Sequence, residues 1–217
     1  MQVIDYHIHT GESFIGDKNP HAAGTWEEYL KTGKEKGVIP GNSNHAPHYF
    51  GRKDGKNIHP EEKEIIRSDK NWEYCMEQNL NFREQNKQVQ FGLEIDFFED
   101  VTAEEYIEAV ETGYLNFKKK SLKTPLDYLI FSNHFVFGRV FDHTQEGYLM
   151  AKEEAGNDLA KMIQGYWENM LKTTIMAEEI IKKTRTKKII IGHFDLIKII
   201  SLFEKRKIDV HEGFKGI

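Results

Sequence analysis

His7 and His9 stand two residues apart in the run Ile4-Asp5-Tyr6-His7-Ile8-His9-Thr10. In an extended chain, residues i and i+2 face the same side. Both imidazoles can therefore hold one ion, with Asp5 beneath them placed to accept a hydrogen bond from a ligand ring. Similar donors close other apolar runs: His45 and His48 in "GNSNHAPH", Glu94 and Asp96 in "GLEID", and His134 in "SNH". His193 and Asp195 follow in "GHFD", then Asp209 and His211 in "DVH". A lone histidine on a strand is more often a satisfied polar residue than a ligand. The same placement on six successive runs instead points to one shared rim. Neutral imidazole suits zinc, iron and manganese, and carboxylate favours the harder of these. Glu94, with two oxygens, can bridge two ions. Such a centre would activate a water and clamp the oxygens of a phosphoryl group. His48, His59 and His143 share the strand-end placement less closely and are read as loop or surface histidines.

The elements that must position these groups alternate. Strand patterns cover residues 3–9, 38–44, 89–97, 128–134, 188–192 and 207–210; several are nearly unbroken Ile, Val and Phe, as in strands covered on both faces. Helical signals lie between them. Thr25-Trp26-Glu27-Glu28 and Thr102-Ala103-Glu104-Glu105 are capping boxes, the first opening a helix that ends near Gly37. His59-Pro60-Glu61-Glu62 places proline at a first helical position, with apolar residues recurring through Ile65, Trp72, Met76 and Leu80. Residues 148–183 carry one long helical periodicity whose Met and aromatic positions read as core. Strands alternating with helices predict an α/β fold with parallel strands and a barrel-like arrangement, which gathers reactive groups at the C-terminal strand ends.

Composition narrows the function classes. The 217 residues are 30 % charged and 39 % hydrophobic, as in a globular chain, and are read as a single domain over 1–217. The net charge of -5 gives no electrostatic case for nucleic-acid binding. No run is apolar for long enough to span a bilayer, and the start lacks the basic-then-apolar pattern of a signal peptide. The single Cys75 excludes an intrachain disulfide and fits a reducing cytoplasm. Its amphipathic helical setting argues against a nucleophilic role. The lysine runs at 118–120 and 182–183 read as solvated helix ends. No Gly-rich phosphate loop and no Gly-x-Ser-x-Gly elbow occurs.

"DYHIHT", "NHAP", "GLEIDF", "SNHFV" and "IGHFDLI", in this order, resemble the PHP (polymerase and histidinol phosphatase) family, and its histidinol-phosphatase branch most. The resemblance runs from Val3 to about Leu196. It implies a distorted (β/α)7 TIM-like barrel with two or three divalent ions (Zn, Mn or Fe) at the C-terminal rim. It also implies hydrolysis of a small phosphate monoester such as histidinol phosphate. Carried over, His7 and His9 hold the first ion, Glu94 bridges the first and second, and His134 and His193 complete the second. His21, with His45, holds the third. Glu94 and His193 belong to the catalytic centre. Arg139, in "HFVFGRVFD", is a candidate phosphate contact, since a guanidinium grips phosphate oxygens bidentately.

The chain departs from the family pattern at its end. Members usually finish with a strand carrying an acid before Asn and then an Asp-x-His strand. "KIDVHEGFKGI" matches either the terminal Asp-x-His, through Asp209 and His211, or, in the better fit, the penultimate strand. In that fit the barrel lacks its last strand unit, and the first and third ions each lack a ligand unless Asp195, Asp96 or His211 supplies it. Exposed strand edges would follow, with a second copy of the chain as one way to cover them. The alternative function is a non-catalytic metal-binding or interaction module derived from the same fold.

Overall fold

The computed structural model describes residues 3–10, 24–45, 69–114 and 126–205. Five strands form one parallel sheet in the order β1-β2-β3-β4-β7: β1 (Val3–Asp5), β2 (Val38–Asn42), β3 (Gln90–Asp96), β4 (Tyr128–Ser132) and β7 (Ile189–Ile191). The sheet curls into a half-barrel. A two-stranded antiparallel hairpin, β5 (Phe135–Val136) and β6 (Arg139–Val140), follows β4. Six α-helices accompany the strands among the described residues: α1 (Trp26–Lys36), α2 (Asp69–Gln85), α3 (Ala103–Glu108), α4 (Gln145–Glu154), α5 (Leu159–Lys183) and α6 (Ile199–Phe203).

The period-2 pattern of β3 and β4 decides which groups meet. Phe91, Leu93 and Ile95, with Leu129 and Phe131, pack outward against Met76, Tyr106, Val110, Ala177 and Ile180 in the larger core cluster. The alternate residues, Gly92, Glu94 and Asp96 opposite Tyr128, Ile130 and Ser132, share the other face. The Tyr128 ring lies over Gly92, where an added Cβ would come within 2.4 Å of it. Its hydroxyl lies within hydrogen-bond reach of the carbonyls of Tyr6 and Asn42, bracing β1 against β2. A second cluster, built on Tyr148, Met162, Tyr166, Met170 and Ile197, joins α4, α5 and α6 to the hairpin.

Both capping boxes form reciprocally, at Thr25/Glu28 and Thr102/Glu105, and α1 ends at Gly37 in the left-handed region. The five expected strands within the described residues all form, but each stops short of its apolar run. β1 ends at Asp5 rather than His9, and β4 at Ser132 rather than His134. Side chains take over from the ladder at these ends. The Asn44 amide accepts from the Thr10 N–H and donates to its hydroxyl, while Ser43 N–H and Oγ–H donate to the Ile8 carbonyl. The single helix expected over 148–183 is two. Gly156 and Asn157 both take positive φ, and the Asp158 carboxylate then caps a new N-terminus by accepting from Ala160 and Lys161. The 3.6-residue periodicity bridges this break because α4 and α5 bury faces in one cluster. The runs at 59–62 and 207–210 lie outside the described residues.

Among the described residues β1 and β7 are the two edges of the sheet. Between them opens a cleft of about 500 Å³ lined by Ile4, Tyr6, Ile130, Ile190, His7 and His193. Lys188, just before β7, donates to the Tyr6 hydroxyl at 2.7 Å. Among the described residues no helix is long and apolar enough to cross a membrane.

Candidate metal centre

Glu94 stands at the middle of the rim, wholly buried on β3. The Nε2 atoms of His7, His9 and His45 lie 3.0, 3.1 and 3.5 Å from its Oε2. Those of His193 and His134 lie 2.9 and 3.6 Å from its Oε1. The Ser132 hydroxyl donates to Oε1 at 2.6 Å. A carboxylate has about four lone-pair sites, so five inward-turned rings and a hydroxyl exceed what it can accept at once. The rings meet edge to face, tilted or stacked, with neighbouring centroids 4.6–5.6 Å apart. Lone-pair donors gathered around a shared carboxylate are what a divalent ion requires. Two triads satisfy this, His7–His9–Glu94 and Glu94–His134–His193, each with its ligand atoms within 4.8 Å of one another. Each triad could hold a divalent ion, and the two triads share Glu94.

Each ligand reaches the centre by a local device. His7 and His9 extend β1, and their two-residue spacing puts both rings on Glu94 Oε2. His45 is drawn beside Glu94 by a parallel bridge that prolongs the β2–β3 pairing. His134 lies two residues beyond β4. His193 follows β7 with φ 51°, in the left-handed region that histidine adopts more readily than most side chains.

Electrostatics divide the site. Burial works against the Glu94 charge, but His45, His193, His7 and His9 outweigh it and hold the carboxyl well below the usual range. Burial also disfavours a charged His134, yet Asp96, Asp142 and Glu94 push that ring up to about 10. Asp96 receives Nδ1, and Asp142 Oδ2 lies 4.0 Å from Nε2. Asp142 is itself raised by burial. Since a ligand imidazole is neutral, an ion and a proton compete at His134.

His7, His9, His45, Glu94, His134 and His193 all converge. His21, Asp209 and His211 lie outside the described residues. Asp5 does not support a ring as expected; its carboxylate accepts from the His7 backbone N–H at 3.1 Å, because the side chain turns to solvent. Asp195 is exposed and engages Lys198 at 2.9 Å. Asp96 supports His134. Arg139 directs its guanidinium toward α4, donating to Glu154 Oε1 at 3.1 Å and to Met150 Sδ at 3.6 Å. His143 is exposed.

Sequence reasoning assigned no role to Ser132 or Asp142. Ser132 faces Glu94 because it alternates with Ile130 on the inner side of β4. The signal for Asp142 is Phe137-Gly138, both at positive φ, the two-residue turn that folds β6 back and returns the chain to the rim. Comparisons with protein-family models, with curated proteins and with solved structures find no match to this chain.

Proposed function

We propose that this chain is a metal-dependent phosphoesterase of the histidinol-phosphatase type of the PHP family, hydrolysing a small phosphate monoester in the cytoplasm. On this reading the half-barrel is part of a distorted (β/α)7 barrel, and a second copy covers the edges that β1 and β7 form among the described residues. The observation that carries the proposal is the pair of triads sharing Glu94. His7, His9 and Glu94, with His45 beside them, would hold one divalent ion, and Glu94, His134 and His193 would hold another. Zn, Mn or Fe bound there would supply Lewis acidity to activate a water and positive charge for the phosphoryl oxygens.

The chain's own residues do the rest. Ser132 fixes the Glu94 carboxylate by its hydrogen bond to Oε1. Asp96 sets the plane and tautomer of the His134 ring through Nδ1. Asp142, with Oδ2 4.0 Å from His134 Nε2, is the carboxyl placed to give its proton to the leaving oxygen as the phosphorus–oxygen bond breaks. Elemental analysis, paired with a phosphate-release screen that includes histidinol phosphate, tests the proposal. Two or three ions per chain with turnover support it; a metal-replete sample that hydrolyses no phosphate ester overturns it.

One observation favours the second reading, a non-catalytic metal-binding module. Arg139, the guanidinium expected to grip phosphate, is already paired with Glu154. As a phosphate contact it must exchange that partner: an unchanged Michaelis constant in Arg139→Ala makes Arg139 structural, whereas one ion or none per chain and no turnover by the parent favour the module.

A further inference from the structure

Tyr166 is wholly buried on α5, and three links lead from it to segments that carry the site. Its hydroxyl donates to the backbone carbonyl of His193. Its ring meets Phe141, the neighbour of Asp142, edge-on at 5.5 Å. Its own carbonyl accepts from the Asn133 amide, adjacent to His134, at 3.5 Å. The first link bears most directly on a ligand. His193 is held at φ 51°, a conformation a non-glycine residue keeps only when its surroundings impose it. The Tyr166 hydroxyl clamps that peptide and so aims the ring at Glu94 Oε1, 2.9 Å away.

We infer that Tyr166 is a positioning residue for the Glu94–His134–His193 triad, acting through the main chain of His193. The inference rests on the metal-centre reading above and extends it to an outer partner that selects one of the two triads. Outer partners of metal ligands typically contribute about 10–100-fold to affinity. Here the partner sits on the backbone of the ligand rather than on its ring.

Tyr166→Phe keeps the ring and removes the donor. Cobalt(II) titration of the metal-free protein should show two ions per chain in the parent. In the variant, one of the two should bind about 10–100-fold more weakly, while the other, assigned to His7 and His9, stays unchanged. His193→Ala should weaken the same ion, and the double variant should add little to it. Phe141→Leu loosens the packing around Tyr166 but spares its hydroxyl; it should lower the melting temperature and leave both cobalt affinities in place. Ring nitrogen resonances of the metal-free protein supply a reading that needs no ion: those of His193 should shift in Tyr166→Phe while those of His9 hold. Parent-like cobalt binding by Tyr166→Phe, or an unmoved His193 resonance, overturns the inference. A parent that binds no cobalt overturns the metal reading instead, and the His193 resonance then decides the role of Tyr166 alone.

Discussion

At the scale of single residues the site is a problem in placing one carboxylate. Glu94 is buried with histidines on both oxygens, and removing its charge leaves those rings facing a neutral group. Glu94→Gln keeps the shape and one acceptor oxygen. It is expected to lose at least one ion per chain and to lower phosphate release by two orders of magnitude or more, read by elemental analysis and product assay; retention of both ions would argue against the bridging role. Six ligand candidates were legible because each residue type is rare at a strand end and they recur in order. Ser132 and Asp142 were not, because a serine or an aspartate near a turn has ordinary local uses, and only long-range neighbours give these two another.

At the scale of elements, capping and close approach hold the scaffold. Thr25 opens α1 and accepts from the Glu28 N–H, while the Glu28 carboxylate accepts from the Thr25 N–H at 2.7 Å. Thr25→Ala should cost about 0.5–2 kcal/mol, visible as a lower denaturant midpoint. Glu28 is exposed, and its backbone and side-chain bonds to Thr25 hold its carboxyl below the ordinary value of 4.5. A carboxyl depressed in the folded state stabilises above its unfolded pKa, and that share disappears as the pH falls through the folded value. Between pH 6 and pH 3 the melting temperature of Glu28→Gln should therefore fall less than that of the parent. Gly92 tests packing instead. A Cβ there would meet the Tyr128 ring at 2.4 Å, so Gly92→Ala should cost about 1–3 kcal/mol by overpacking. The displaced ring would also release the Tyr6 carbonyl next to His7, so metal content should fall with stability.

At the scale of the whole molecule, the described residues of the parallel sheet leave β1 and β7 as edges facing a cleft of about 500 Å³. Unpaired strand edges are templates for association. Light scattering over a range of concentrations should show a dimer or larger species, and a monomer at every concentration counts against a covering copy. Local chemistry in the sequence determined the element types, both capping boxes and which residues are candidate ligands, because these depend on spacing within a few residues. It could not show where α4 ends and α5 begins, because two helices that bury faces in one core share a period across the break. Nor could it show that Arg139 turns to Glu154, or that Tyr166 reaches the His193 carbonyl. Those outcomes depend on partners 15 and 27 residues away, brought together only once the hairpin and α5 have packed on the sheet. The sequence by itself named the atoms able to hold an ion; the curl of the sheet decided that they share one carboxylate.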